Sequence, residues 1–410
     1  MRDAPVATLR RGRPFLIHHD LLAPLLSEPT FHLNKAAFRS APWTDAQNAI
    51  LSDEALAAAA RAIKGWPGYA PTPLVDLPGL AAEIGVAALA YKDEGPRFGL
   101  GSFKALGGAY AVERVVAAAS AKGEQPGGVT VCCATDGNHG RSVAWGAKRA
   151  GCRCVIFIHA TVSEGRAQAI EAYGAEVRRT DGNYDDSVRE AEATAAREGW
   201  TVVSDTSYPG YMDIPKDVMQ GYELMAAEAF DALGAAPSHI FLQAGVGGMA
   251  AAVASVAKRR WGAERPRIVL AEPEDAACWA ASYDRDAPTA VDGDLDTIMA
   301  GLACGEVSLL AWEILRDHGD AAIALPDSAA AEEMRRLARP SAGDPPIVAG
   351  ESAVAGLAGL RAAMAAPRML AALALDGQSR VLVFGTEADT DPAVYQAIVG
   401  MSADMVRQGA

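Results

Sequence analysis

From residue 129 onward the chain alternates short apolar runs with stretches of helical periodicity: runs at 131–134, 154–158, 175–177 and 201–203, separated by helical stretches at 139–150, 164–173 and 185–197. Strands separated by helices of this length lie parallel, because a parallel neighbour needs a long return across the sheet. The pattern confines the chain to an α/β fold containing a small parallel sheet. The alternation resumes with apolar runs at 240–242, 268–271 and 381–384 and a helical stretch at 249–260, so a second α/β layer is expected. Between the two blocks lies SYPGYMDIPKD (207–217), whose prolines, glycine and aspartates mark a connection from one layer to the other. Residues 1–65 read as a peripheral extension, with a helix at 53–63 capped by Ser52.

Composition narrows the function classes. With 50% hydrophobic and 21% charged residues in 410, the chain can bury a large core and is expected to be folded throughout. Its 37 basic and 51 acidic residues leave a net charge of −14 with no basic block, which argues against nucleic acid as a partner. The longest uncharged stretch, 232–257, is interrupted by Pro237 and glycines, so no membrane span is expected. The basic N-terminus lacks the apolar segment of an export signal. Six cysteines without C-x-x-C spacing read as buried thiols, and a reducing cytoplasm fits. The seven histidines show no H-E-x-x-H spacing, so no metal site is expected, and no G-x-G-x-x-G opens a helix in dinucleotide-binding context.

Chemistry concentrates in four loops. In YKDEGPRFGLGSFKALGGAY (91–110), Lys104 follows a Gly-rich turn and opens an apolar helical stretch. A helix N-terminus and partial burial both disfavour the ammonium, so a depressed pKa and a neutral amine able to condense with a carbonyl are expected. Local composition also suits a snorkelling surface lysine. ATDGNHG (134–140) sits between a predicted strand and a helix, where open α/β sheets bind ligands. Its backbone N–H groups and Thr135 suit a substrate carboxylate, while Asn138 offers an amide and Asp136 a carboxylate; a plain capped turn is the alternative. QAGVGGM (243–249) resembles an anion cradle at a helix start, without the Lys-Ser/Thr of a nucleotide loop. VFGTEADTDP (383–392) opens a buried strand into a polar loop and places Thr386 at the strand end, although an ordinary turn would look the same. A lysine for a carbonyl cofactor, a phosphate cradle, an amide for a ring oxygen and a hydroxyl for a ring nitrogen are together the parts of a pyridoxal phosphate site.

With these segments, and with WPGYAPTPL and VSDTSYPGY, the chain resembles the fold type II pyridoxal-phosphate enzymes, the tryptophan synthase β-like group, from about Trp66 to Pro392. Within that group it is similar to the diaminopropionate ammonia-lyases. The resemblance implies two domains, each a twisted and mostly parallel sheet flanked by helices, with pyridoxal 5'-phosphate in the cleft between them. It divides the chain into an extension at 1–65, a large cofactor-binding domain at 66–107 and 208–410, and a small domain at 108–207. It implies a covalent link from Lys104 to the cofactor, Phe103 beside the ring, Asn138 at the phenolic oxygen, Gly245, Val246, Gly247, Gly248 and Met249 around the phosphate, and Thr386 at the pyridine nitrogen. A homodimer and a small amino-acid substrate are implied as well, with Ser102, Thr135, Asp136 and His139 on the substrate side.

Asp136 discriminates within the group. Dehydratases of hydroxy amino acids resemble one another in carrying a small residue there, whereas the diaminopropionate lyases are similar to this chain in placing an acid there and a second at Asp205. A cationic leaving group supplies the physical reason, since a carboxylate pairs with β-ammonium and can act as a base on Cα–H. Expected catalytic residues are therefore Lys104, Asp136 and Asp205, and the expected reaction is elimination of 2,3-diaminopropionate to pyruvate and two ammonia. Ser102, a residue that the dehydratases tend to carry, keeps a serine or threonine dehydratase as the alternative.

Overall fold

The computed structural model of the protein describes residues 29–135, 137–340 and 343–409. Among the described residues there are eleven strands: β1 (Thr30–Leu33), β2 (Leu74–Asp76), β3 (Ala88–Asp93), β4 (Thr130–Ala134), β5 (Arg153–His159), β6 (Glu176–Thr180), β7 (Thr201–Val202), β8 (His239–Gln243), β9 (Arg267–Pro273), β10 (Ala321–Leu325) and β11 (Arg380–Gly385). They form two sheets. The smaller, ordered β6-β5-β4-β7, is parallel throughout. The larger is ordered β1-β10-β9-β8-β11-β3-β2, with parallel pairing from β10 through β3 and antiparallel edges at β1 and β2.

Parallel strands buried on both faces read as continuous apolar runs, and β8, β10 and the inner positions of β9 and β11 are buried in this way. The runs at 131–134, 154–158 and 201–203 fall on β4, β5 and β7, and those at 240–242, 268–271 and 381–384 on β8, β9 and β11. The run at 175–177 marks only the start of β6, whose Arg178 and Arg179 hide it from an apolar scan. Strand β3 escapes the same scan because it carries Lys92 and Asp93, although Lys92 is buried. The 207–217 connection is shorter than its composition suggests. A helix already begins at Asp213 and runs to Ala232, with Pro215 tolerated in a first turn that lacks intrahelical N–H partners anyway.

Helix Ala105–Ala121 joins the two layers, packing against helix Asn138–Ala150 on one side and helix Asp213–Ala232 on the other. Glycine makes both approaches possible. A Cβ on Gly146 would stand 2.6 Å from the Ala109 Cα, and one on Gly221 would stand 1.9 Å from the Leu106 carbonyl oxygen. Backbone-to-backbone contact of this kind fixes where the start of the Ala105–Ala121 helix lies between the sheets. Among the described residues no helix is long and apolar enough to cross a membrane.

Candidate active site

Lys104 stands immediately before helix Ala105–Ala121, as the Gly-rich loop suggests. The loop reaches it through Phe98, a non-glycine residue at φ 52°. Such a conformation is strained and persists only where the surroundings over-determine it. Here Phe98 is wedged against Trp145 and Trp66, at ring distances of 4.9 and 5.7 Å. Beneath the loop runs a buried ion network. Arg97 bonds Glu94 and Glu228, Lys92 bonds Glu228 at 2.9 Å, and Thr72 donates to Glu94 at 2.5 Å. Two cations and two carboxylates balance, as groups this deep must.

The Lys104 ammonium donates to the Asp205 carboxylate at 2.5 Å, and the two side chains are 19% and 20% exposed. Burial alone pulls the amine pKa down, but Asp205 outweighs it and holds Lys104 above the ordinary lysine range. Asp205 moves the opposite way. Burial pushes it up, yet the Lys104 ammonium leaves it below the usual carboxylate range. The depressed lysine expected from a helix N-terminus and burial is therefore not what this structure has, because its decisive partner lies 101 residues away.

His139 is buried, and burial lowers its pKa, so the ring is neutral. Its Nε2 meets the Val203 carbonyl oxygen at 2.7 Å, which can only accept, so Nε2 carries the proton. Nδ1 is then a bare acceptor, 3.8 Å from Asp205 and without a hydrogen-bond partner. Thr135 accepts from the Gly137 and Gly140 N–H groups at 3.0 and 3.1 Å, which folds the loop back on itself and leaves its own proton to donate. Asp136 lies outside the described residues. Asn138 reaches across the cleft and donates to the Glu387 carboxylate.

The glycine loop brings the third element alongside. Gly245 and Gly247 precede helix Gly248–Trp261, whose first N–H groups have no carbonyl within their own helix. A Cβ on Gly248 would lie 3.8 Å from the Asp205 carbonyl oxygen, so the loop and the lysine pair share one cleft. Val246 accepts from the Ser308 N–H at 2.9 Å, and Met249 is buried. Thr386 ends the buried strand β11, and its hydroxyl accepts from the Gln243 side-chain amide at 2.6 Å. The Thr386 carbonyl takes the Phe103 N–H at 3.0 Å and the Gly101 carbonyl takes the Ala388 N–H at 2.8 Å, tying this loop to the lysine loop. Ser102 is buried and bridges Glu387 through its backbone. Phe103 packs on Tyr222, ring centroids 4.6 Å apart.

All the described sequence-nominated residues thus converge on one cleft. Sequence reasoning missed Glu351, Glu387 and Asp391. Glu387 accepts from Asn138 and from the Ser352 N–H. Arg166 lies 3.8 Å from Glu351 and 3.4 Å from Asp391. Burial, and next the Glu387 carboxylate, push Glu351 up to about 8. The adjacency of Glu387 to Thr386 was the available signal. Among the described residues no cluster suits a metal ion. A lysine amine, a glycine-lined helix start, a neutral amide and a hydroxyl within one cleft match the aldehyde, phosphate, phenolic oxygen and ring nitrogen of pyridoxal phosphate.

Residues 65–387 match the family described as pyridoxal-phosphate dependent enzyme. The chain belongs to that family and takes pyridoxal phosphate as its cofactor. It is 41% identical over 352 residues to the diaminopropionate ammonia-lyase of Escherichia coli strain K12, covering 81% of this chain and 88% of that one. The crystal structure of the selenomethionine-incorporated holo diaminopropionate ammonia lyase from Escherichia coli superposes with a TM-score of 0.83 at 37% identity, over 90% and 96% of the two chains. The same enzyme in complex with an aminoacrylate-PLP azomethine reaction intermediate gives 0.82 at 38%, again over 90% and 96%. Among pyridoxal-phosphate enzymes, the chain falls in the diaminopropionate ammonia-lyase family.

Proposed function

We propose that this protein cleaves 2,3-diaminopropionate by α,β-elimination, releasing pyruvate and two ammonia. The observation that carries the reading is the half-buried Lys104–Asp205 pair beside a glycine-lined helix start, with Glu387 bonded to Asn138 of the same site and Glu351 and Asp391 gathered about Arg166. A cleft so rich in carboxylates suits a substrate with two amines better than a hydroxy amino acid. The similarity to ammonia-lyases supports the same choice over a serine or threonine dehydratase.

When bound, pyridoxal phosphate supplies an electron-withdrawing ring, conjugated through its aldehyde carbon to the substrate nitrogen, that accepts the pair left at Cα. Lys104 would hold it covalently, Phe103 would pack beside the ring, and Asn138 would meet the phenolic oxygen. Gly245, Val246, Gly247, Gly248 and Met249 would hold the phosphate. Because Thr386 accepts from Gln243, its own proton would remain to donate to an unprotonated pyridine nitrogen. A weaker electron sink of that kind favours prompt elimination over a long-lived carbanion. Asp205 exchanges a proton with the Lys104 amine, which must be neutral to attack a carbonyl. Asp136, supported here by its chemistry and the family resemblance, takes the Cα proton or pairs with the β-ammonium. Ser102, Thr135 and His139 orient the substrate. The β-ammonium departs as neutral ammonia with the Cβ–N pair, so no additional acid is required. Released aminoacrylate hydrolyses to pyruvate and the second ammonia. Domain limits near residues 107 and 208, a cytoplasmic location and a homodimer belong to the same reading and rest on the family resemblance.

Supplying D- and L-diaminopropionate, serine and threonine to the purified enzyme tests the proposal. Diaminopropionate is expected to give ammonia and pyruvate in a ratio of two to one and to be the preferred substrate. Faster turnover of serine or threonine would establish a dehydratase instead. Lys104→Ala is expected to abolish both turnover and the visible absorbance of the bound cofactor, and unchanged colour would remove Lys104 from its role.

A further inference from the structure

We infer that Trp279 is the positioning residue that aims the Gly245–Gly248 cradle at the cofactor phosphate, with Glu272 holding Trp279 in turn. The inference rests on the reading of 245–249 as a phosphate cradle.

Trp279 is fully buried, and its indole Nε1–H donates to the Gly245 carbonyl oxygen at 2.8 Å. Its ring edge also occupies the space beneath Gly247. A Cβ there would stand 2.1 Å from Cζ2, at a residue whose φ of +92° already favours glycine. One side chain therefore pins the first residue of the loop through its carbonyl and the third through shape. Turning the Gly245 carbonyl toward the indole orients the following peptide, because a peptide unit is planar and its C=O and N–H point in opposite directions. The Val246 N–H that results is directed away from Trp279.

Trp279 cannot move freely to accommodate other loop conformations. Glu272, buried at the end of β9, accepts the Trp279 N–H at 2.9 Å and the Ala280 N–H at 2.7 Å. It thereby caps helix Cys278–Arg285 in place of the missing side-chain cap. Tyr283 and Trp312 pack on the indole at ring distances of 5.9 and 6.2 Å. A cradle of backbone N–H groups binds an anion well only if its donors are held in place before the anion arrives.

Trp279→Phe keeps the packing and removes the N–H, leaving the buried Gly245 carbonyl with only the weak Cys278 thiol donor at 3.8 Å. The test compares binding of pyridoxal 5'-phosphate with binding of pyridoxal, which lacks the phosphate, to cofactor-free protein, read by absorbance. Wild type is expected to prefer the phosphorylated form. In Trp279→Phe the free loop can turn its weakly held carbonyl away and must bring it back to receive the phosphate, so the phosphorylated form is expected to bind about 5- to 150-fold more weakly, with pyridoxal binding unchanged. Equal weakening of both ligands, or of neither, would overturn the role of Trp279. A wild type indifferent to the phosphate would instead overturn the cradle reading itself. Should Trp279→Phe fail to fold, wild-type protein labelled at the indole nitrogens decides. Inorganic phosphate is expected to slow hydrogen exchange at one of the seven tryptophan N–H groups, and no response at any of them would overturn the inference.

Discussion

Two groups of buried charges flank the elements that carry the site, and they are built on opposite plans. Under the lysine loop, Lys92, Arg97, Glu94 and Glu228 match cation for anion, with Thr72 and Tyr69 filling remaining hydrogen-bond capacity. On the cleft wall, Glu351, Glu387 and Asp391 face Arg166 and a neutral amide, and one oxygen of Glu351 has no hydrogen bond. The first arrangement is complete without a ligand and serves to hold a strained loop in place. The second sets three acidic side chains against one guanidinium and leaves one Glu351 oxygen without a hydrogen bond. Self-sufficiency thus separates the two groups.

The sharpest break of that contrast is Arg97→Met. It strands Glu94 and Glu228 in the interior and is expected to cost about 3–5 kcal/mol of stability, measured by denaturant unfolding of the cofactor-free protein. A loss below about 1 kcal/mol would mean the network is not the support described. Asp205→Asn acts at the Lys104 pair, which belongs to neither group. It is expected to lower kcat for at least one enantiomer of diaminopropionate by on the order of 10²–10⁴, with little change in thermal midpoint. Parent-like turnover of both enantiomers would exclude Asp205 from proton transfer. The smallest effect is a slope in pH. Burial raises Glu272 and Glu351 each to about 8, so between about 5 and 8 the folded protein keeps protons that the unfolded chain has released. Stability of the cofactor-free protein should therefore fall as pH rises through that window, by at most about 1.4 kcal/mol per pH unit for each group. Glu351→Gln should remove about half of the slope, and an unaltered slope would show that Glu351 ionises normally.

The strands that escaped sequence reading explain what made the others visible. β4, β5, β8 and β11 announce themselves because a buried parallel strand has no polar face. β3 does not, because Lys92 and Asp93 interrupt its run, and the buried Lys92 is tolerated through the Thr72 carbonyl and Glu228, the latter more than a hundred residues further on. The site divides in the same way. Lys104 at a helix start, the glycines of 245–248 and Thr386 at a strand end can be read from local spacing. Glu351 and Trp279 cannot, since each matters through a partner distant in the chain, and Glu387 is marked only by its adjacency to Thr386.

By itself the sequence determined the α/β architecture, the loops that bear the chemistry and the kind of cofactor they suit, because periodicity, glycine placement and residue type act over a few neighbours. Tertiary structure decided the charge state of Lys104, the carboxylates facing it and the buttress behind the glycine loop. Electrostatics and packing depend on distance in space, and the sheets bring together groups that lie a hundred or more residues apart along the chain.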